Sequence, residues 1–298
     1  MKAQSTSKIA KNVKTAKTSV NDQVTPDETA EILRLAEQTL AGNVAGDFVE
    51  LGCYRGDTSV LLGKLLQKSA PQPLTLPAQS SLDSPSQPVE NHVDNPAKNS
   101  VENYQAPVPN TQNRQILTPT GCPQPKLLWI YDSFAGLPEK TREDSSGAGA
   151  NFKAGELLVT KREVIEKLRK HGLKTSSGPK TFNDPTASSN STPLATPDSA
   201  PQTTFSVIVK KAWFDDLTDG DLPAEIAFAF CDGDLYSSIK TSLRLVAPRL
   251  AKQGIIIVHD YNNPELPGSA RAVDEFLKTH PNFQLKIHYT LAILTKKC

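Results

Sequence analysis

Two carboxylates stand two residues apart at the end of an apolar run. The run Ile226–Cys231 leads directly into Asp232, Gly233 and Asp234. An isolated ionised carboxylate is costly to bury, so such a pair either faces water or holds a positive charge. Asp234 therefore has two interpretations: a group that acts on a bound ligand, or the N-cap of the helical segment that follows.

A second polar pair, His259 and Asp260, ends the apolar run at residues 254–258. If the two runs are adjacent parallel strands, both polar groups lie at the same edge of the sheet. Carboxylates and an imidazole close together are typical ligands of a divalent metal ion. The sequence therefore predicts a metal site made by Asp232, His259 and Asp260.

Two glycines follow the first apolar run, Asp47–Leu51. Glu50 lies in this run, and Gly52 and Gly56 come after it. Glycines let backbone amides approach a ligand at the start of the next helix. The spacing differs from the GxGxxG that holds a pyrophosphate, which favours S-adenosylmethionine over NAD. The alternative is a glycine turn that only packs a strand on a helix.

Asp132 follows the apolar run at residues 127–131. An acidic residue there in a Rossmann-like sheet is placed to bind ribose hydroxyls. Phe134 is available to stack near an adenine. The alternative is a solvated aspartate at the end of a strand.

Apolar runs and amphipathic segments alternate along the chain. Thr25 and Glu28 form a capping box at the start of the first helical segment. Further helical periodicity covers residues 58–68, 160–171, 237–250 and 269–280, and strand-like runs cover 47–51, 127–131, 205–210, 226–231, 254–258 and 284–295. We predict an α/β fold, a Rossmann-like doubly wound and mostly parallel sheet with an antiparallel C-terminal strand.

Three segments do not fit a folded core. We predict a disordered basic arm at residues 1–24. Residues 69–125 and 174–204 are rich in Pro, Ser, Thr, Gln and Asn. Such composition buries too little apolar surface to offset chain entropy. We predict a single domain at 25–298 that carries two disordered insertions.

Composition excludes several classes of function. The formal net charge of +1 gives no electrostatic support for a nucleic-acid partner. The four cysteines show no CxxC spacing, which argues against zinc sites and disulfides, and no run of 18 apolar residues occurs. We expect a cytoplasmic protein with a small-molecule partner and no membrane or nucleic-acid partner. The first helix could also form the interface of a homo-oligomer.

The motifs "FVELGCYRGDTS", "YDSFAGLP", "KKAWFDDL", "FCDGDLYSS" and "IIIVHDYNNPELPGSARAVDEF" resemble those of the macrocin O-methyltransferase family. The resemblance implies an enzyme that transfers methyl groups from S-adenosylmethionine to sugar hydroxyls with the help of Mg²⁺ or Mn²⁺. It implies these cofactor-binding residues: Glu50, Gly52, Tyr54, Gly56, Thr58, Asp132, Ser133, Phe134, Trp213, Phe214 and Asp232. It also implies a metal on Asp232, His259 and Asp260, with Asp234 as the catalytic base.

One residue departs from the family's pattern, which often has Asp-Asp where this chain has His259 and Asp260. Magnesium prefers oxygen ligands, and imidazole suits zinc, iron, nickel or copper. His259 could ligate an ion directly, lie behind the ligands, or simply end a strand. Two other functions stay open: a nucleotide-sugar glycosyltransferase, which also uses Asp-x-Asp, and an inactive binding protein of the methyltransferase fold.

Overall fold

The structure, a computed structural model, describes residues 24–70, 125–145, 152–176 and 205–297. The predicted arm except its last residue, and most of both predicted insertions, lie outside these ranges. Both insertions were predicted to start too early. Ser69 is still the last residue of a helix, and Thr175–Ser176 pair with a neighbouring strand.

The described residues form an eight-stranded sheet. Its strands are β1 (Asp47–Leu51), β2 (Leu128–Asp132), β3 (Thr175–Ser176), β4 (Val207–Lys211), β5 (Ile226–Cys231), β6 (Leu250–Val258), β7 (Phe283–His288) and β8 (Leu291–Lys296). They lie in the order β3-β4-β2-β1-β5-β6-β8-β7. Strands β1 to β6 pair in parallel, and β8 pairs antiparallel with β6 and β7. The predicted doubly wound sheet is confirmed.

The C-terminal segment differs from the prediction in one respect. The apolar run at residues 284–295 was predicted as one strand, but it forms the hairpin β7–β8. The turn lies at Tyr289, which has a φ of 53°, and Thr290. Strand β8 is inserted between β6 and β7, so the hairpin covers the edge of the parallel part of the sheet.

Helices cover both faces of the sheet. The five α-helices of the described residues are α1 (Pro26–Ala41), α2 (Asp57–Ser69), α3 (Lys161–Lys170), α4 (Tyr236–Val246) and α5 (Pro267–Thr279). The apolar sides of α1, α2 and α3 join one buried cluster, and those of α4 and α5 join another. Burying each large apolar side chain contributes roughly 1.5–3 kcal/mol, so the two layers hold the strands in register. Among the described residues, no helix combines the length and apolar character needed to cross a membrane.

The order of the strands reverses direction at β1. The chain passes from β1 outward to β2 and β4, then returns to the other side of β1 to form β5 and β6. In open parallel sheets, ligands bind beyond the carboxyl ends of the strands at such a reversal. The residues that follow β1, β2, β5 and β6 are therefore the ones to inspect.

Candidate active site

The loop after β1 is in close contact with the end of β5. Gly52 has a φ of 89°, and a Cβ atom at this position would lie 1.9 Å from the carbonyl oxygen of Asp232. The Asp232 amide in turn donates to Leu51 O at 2.8 Å. Glycine is therefore required by the packing of the two strand ends as well as by any ligand. Gly56, with a φ of 74°, precedes the first residue of α2.

Asp132 fixes the loop after β1. Its Oδ2 atom accepts hydrogen bonds from the backbone amides of Cys53 at 2.9 Å and Tyr54 at 3.3 Å. Its Oδ1 atom accepts from the amide of Phe134 at 2.7 Å. A carboxylate has about four acceptor positions, so three are used by the backbone. The bidentate contact with a ribose that the sequence suggested would require some of these bonds to open.

Glu50, the next-to-last residue of β1, is fully buried. Its Oε2 atom accepts a hydrogen bond from Ser59 Oγ at 2.5 Å, and its Oε1 atom has no hydrogen-bond partner within the described residues. Burial raises the pKa of Glu50 to about 8, opposed by the Ser59 bond and reinforced by the charges of Asp232 and Asp132. A buried polar atom without a partner is unusual in a folded protein and calls for an explanation.

A cleft opens beside these strand ends. Seven of the predicted cofactor residues line it: Gly52, Tyr54, Asp132, Ser133, Trp213, Phe214 and Asp232. Four do not: Glu50, Gly56, Thr58 and Phe134. Phe134 packs in the core with an exposed fraction of 6%, whereas Trp213 is 41% exposed. Trp213 is therefore available to a ligand, and Phe134 supports the loop.

The "DSFAGLP" motif forms one wall of the cleft. Ser133 Oγ donates to Gly136 O and accepts from the amide of Ala135, which closes a tight turn. Gly136 lies against the backbone of Gly155, where a Cβ atom would approach within 2.5 Å of Gly155 O. The sequence did not indicate that Leu137, Pro138, Leu157, Gly233 and Ser238 also line this cleft.

Asp234 lines the cleft and does not cap the helix that follows. The N-cap of α4 is Leu235, and the amide of Tyr236 donates to Asp144 Oδ1 at 2.7 Å. Burial, and then the charge of Asp232, raises the pKa of Asp234 well above its usual value. A cation beside Asp232 would offset this excess of negative charge. The structure therefore does not support the N-cap interpretation of Asp234, and its action on a ligand stays a prediction.

Asp232, His259 and Asp260 come together as a possible metal site. Nδ1 of His259 lies 2.9 Å from Oδ1 of Asp232 and 3.0 Å from Oδ2 of Asp260. Neighbouring ligands of an octahedral ion at 2.1 Å are about 3 Å apart, which the two distances from Nδ1 match. All three ligand atoms lie within 4.8 Å of one another. The donor set combines two carboxylates, which suit Mg²⁺ or Mn²⁺, with one imidazole, which suits metals such as Zn²⁺.

The carboxylates around His259 stabilise this histidine in its buried position. Burial lowers its pKa, but the carboxylates of Asp232, Asp260 and Glu28 outweigh burial and raise the pKa of His259 well above its usual value. Glu28 was not singled out as a site residue. Its only sequence signal was the capping box of α1, which gives no sign that its carboxylate faces β6.

Four residues at these strand ends have positive φ angles without being glycine: Tyr54 at 43°, Phe134 at 48°, Asp234 at 59° and Asp260 at 61°. Such conformations cost free energy and cluster at functional sites. Each of them is itself one of the predicted site residues. The backbone is therefore bent in the same places where the polar side chains converge.

Comparison with known proteins shows what part of this chain is similar to. The model of the macrocin-O-methyltransferase (TylF) family matches residues 204–288, which include Asp232, Asp234, His259 and Asp260. A curated relative from Streptomyces olivaceus is 25% identical over 140 residues. It is the 8-demethyl-8-(2,3-dimethoxy-alpha-L-rhamnosyl)-tetracenomycin-C 4'-O-methyltransferase. The match covers 46% of this chain and 42% of that protein, less than half of its length.

Two solved structures share the fold. The O-methyltransferase NovP aligns with a TM-score of 0.54 at 18% identity, over 91% of this chain and 80% of its own. The calicheamicin methyltransferase CalS11 aligns with a TM-score of 0.55 at 15% identity, over the same shares. At these identities the likeness shows the fold, and it agrees with the Rossmann-like architecture. No finding here favours a glycosyltransferase.

Proposed function

We propose that this member of the macrocin O-methyltransferase family transfers a methyl group from S-adenosylmethionine to a hydroxyl of a sugar or of a sugar-bearing natural product. The observation that carries the proposal is the convergence at one edge of the sheet. The glycine loop after β1, Asp132 at the end of β2, and the acidic groups after β5 and β6 all meet there. The curated relative is named for a sugar hydroxyl, which supports the class of acceptor.

The cleft residues would hold the cofactor. S-adenosylmethionine supplies an electrophilic methyl group on a sulfonium centre. The backbone around Gly52 and the remaining acceptor position of Asp132 face the cleft, and Trp213 and Phe214 offer aromatic surface for the adenine. Glu50, with its unpaired oxygen beneath the loop, would orient the loop and any polar group that reaches it.

We propose that Asp232, His259 and Asp260 hold a divalent cation, Mg²⁺ or Mn²⁺. A cation held there would supply positive charge that lowers the pKa of the acceptor hydroxyl. Of these three residues, Asp232 lines the cleft, whereas His259 and Asp260 are 3% and 5% exposed. Asp232 would therefore link the proposed cation site to the cleft.

Asp234 would accept the proton. It reaches the same cleft as Asp232 from the other side of Gly233. During transfer, the bond between the methyl carbon and sulfur breaks and a carbon–oxygen bond forms. The hydroxyl proton moves to the Asp234 carboxylate, and S-adenosylhomocysteine remains as the neutral product. Alignment of the acceptor oxygen opposite the sulfur, by the walls of the cleft, supplies much of the acceleration.

Calorimetry tests the cofactor first. We expect the protein to bind S-adenosylhomocysteine and not to respond to nucleotide sugars or NAD. Methyl transfer is then assayed with rhamnosylated acceptors in the presence of Mg²⁺, Mn²⁺ or a chelator. Binding of a nucleotide sugar without S-adenosylhomocysteine would contradict the assignment. Cofactor binding without transfer to any acceptor, with any divalent ion, would instead support an inactive binding protein.

A further inference from the structure

We propose that Glu28, on helix α1, is a positioning residue for His259: its carboxylate attracts the hydrogen on Nε2 electrostatically, which leaves Nδ1 free to bind the cation. This inference rests on the proposed metal-assisted function and assigns a role to a residue outside the cleft. It concerns three groups in a row: the Glu28 carboxylate, the His259 ring and the Asp232–Asp260 pair.

The two nitrogens of His259 face different surroundings. Nδ1 faces the two aspartates at 2.9 and 3.0 Å. Nε2 faces Glu28 Oε2 at 3.6 Å and has no hydrogen-bond partner within the described residues. This distance is longer than a hydrogen bond, so the contact is electrostatic. His259 and Glu28 are 3% and 2% exposed, so water does not separate them.

Without a cation both ring nitrogens face carboxylates, and Nδ1 lies closer to them than Nε2 does. A cation bound to Asp232 and Asp260 would need the lone pair of Nδ1, and Glu28 would then favour the matching form of the neutral ring. A lone pair on Nε2 would point at a buried carboxylate, which is repulsive, whereas a hydrogen on Nε2 is attracted to it. A neutral imidazole carries its hydrogen on only one nitrogen. With the hydrogen on Nε2, the lone pair is on Nδ1, the nitrogen that lies between the two aspartates.

Glu28 is held in place to perform this role. Its Oε2 atom accepts from Thr25 N at 3.0 Å and from Thr25 Oγ1 at 2.7 Å. Its Oε1 atom accepts from the amide and hydroxyl of Thr290, at the turn of the β7–β8 hairpin. These four hydrogen bonds are all donated to the Glu28 carboxylate, which favours its ionised form. The group is a fixed carboxylate.

The departure from the family's pattern explains why such a group is needed. An aspartate at position 259 would present only oxygen atoms to the cation. A histidine there brings a second nitrogen, which points away from the cation and into the protein. Metal-binding histidines almost always donate their other N–H to a carboxylate or carbonyl, and loss of that partner typically weakens metal binding about 10–100-fold. Glu28 is the carboxylate in that position.

The first experiment measures Mn²⁺ binding by calorimetry and by electron paramagnetic resonance. We expect Glu28→Gln to weaken Mn²⁺ binding about 10–100-fold and to leave S-adenosylhomocysteine binding unchanged. The matched control is Glu31→Gln, one helical turn further along α1. Glu31 is also buried, but it pairs with Arg34 at 2.6 Å and does not contact His259. This control should bind Mn²⁺ like the wild type.

A double-mutant cycle gives a sharper test. In the His259→Asp background the ring is gone, so Glu28→Gln should no longer weaken Mn²⁺ binding. Equal Mn²⁺ affinity for the wild type and a folded Glu28→Gln variant would overturn the proposed role of Glu28. It would not contradict the proposed metal site. An equal loss in both backgrounds would also overturn the role of Glu28. If the wild type binds no Mn²⁺, the metal part of the proposed function fails together with this inference.

The wild-type protein provides a test that does not depend on the folding of any variant. Long-range ¹H–¹⁵N spectra of the Mg²⁺-loaded protein report which nitrogen of each histidine carries hydrogen. We expect His259 to carry hydrogen on Nε2 only, with its resonances assigned by their loss in His259→Asp. Hydrogen on Nδ1 would overturn the proposal.

Discussion

Nδ1 of His259 lies 2.9 Å from Oδ1 of Asp232, and this contact joins the carboxyl ends of the adjacent strands β5 and β6. The same nitrogen lies 3.0 Å from Asp260. A single imidazole thus stands between two carboxylates at these strand ends. The ion preference of the proposed metal site would depend on this nitrogen, because the other two proposed ligands are oxygens.

Replacing the imidazole with a carboxylate should change the choice of metal. We expect His259→Asp to bind Mg²⁺ more tightly than the wild type and to discriminate less between Mg²⁺ and Mn²⁺, since all three ligands are then oxygens. Titration calorimetry with each ion measures this. His171→Asp, at the exposed end of α3, is the control and should change neither affinity. Unchanged Mg²⁺ affinity in His259→Asp would show that the ring is not a ligand.

Asp232→Asn should separate catalysis from cofactor binding. We expect methyl transfer to fall by roughly a hundredfold or more, because a bound metal stabilises transition-state charge by several kcal/mol. Affinity for S-adenosylhomocysteine should change little, since Asn keeps the shape of the cleft. Steady-state kinetics and calorimetry measure the two effects, with the exposed Asp216→Asn as control. Loss of both properties to the same extent would argue against a metal role for Asp232.

Asp234→Asn tests the proposed base. Asparagine, like aspartate, tolerates the positive φ of 59° at this position, so the backbone should be undisturbed. We expect kcat to fall about 10²- to 10⁴-fold, the usual contribution of a general base, with KM and the melting temperature nearly unchanged. Asp234→Ala serves as a comparison that adds backbone strain. A variant Asp234→Asn with normal kcat would remove this residue from the mechanism.

Gly52→Ala tests the close approach of the loop after β1 to β5. Both Gly52 and Gly172 have positive φ, 89° and 79°, but a Cβ atom at Gly172 meets nothing within 4 Å. We expect Gly172→Ala to cost about 1–2 kcal/mol of unfolding free energy, the price of the left-handed backbone alone. Gly52→Ala should cost clearly more and weaken cofactor binding, since it also collides with Asp232 O. Denaturant unfolding measures both, and equal costs would contradict the packing argument.

Glu50 predicts a pH dependence of stability. Burial raises its pKa from 4.5 to about 8, so the folded protein keeps a proton that the unfolded chain releases. Between these pH values, rising pH therefore favours the unfolded state, by up to about 1.4 kcal/mol per pH unit. We expect Glu50→Gln to lose less stability than the wild type between pH 5 and 8.

Denaturant unfolding at several pH values measures this difference. The control is the exposed Glu37→Gln on α1, which should follow the wild type at every pH. If wild type and Glu50→Gln show parallel pH profiles, Glu50 is ionised in the folded protein. Its unpaired oxygen would then need another explanation.

The sequence was informative where a side-chain pattern repeats over a whole element. The capping box of Thr25 and Glu28, the continuous apolar strands and the amphipathic helices predicted the α/β fold correctly. The pattern was less informative at residues 284–295, where apolar residues continue through a tight hairpin turn. Apolar character specifies burial there, but it does not show where the chain reverses.

The residues of the candidate site were only partly predictable. Asp132 was expected to contact a ribose. Most of its acceptor positions instead accept hydrogen bonds from backbone amides of the loops after β1 and β2. Phe134 was expected beside the adenosine, but it packs in the core, whereas Trp213 is exposed to the cleft. The type of a residue at a strand end indicates its chemistry. The residue type does not show which neighbouring groups form hydrogen bonds with that side chain.

The amino-acid sequence alone determined the class of fold, the strand ends that carry polar groups and the resemblance to an O-methyltransferase family. Those properties depend on periodicity and on short motifs, which are local in the chain. Only the tertiary structure decided that the Glu28 carboxylate faces Nε2 of His259, and that Nδ1 stands between Asp232 and Asp260. Such contacts join residues far apart in sequence, and they exist only once the strands are ordered and the helices pack on them.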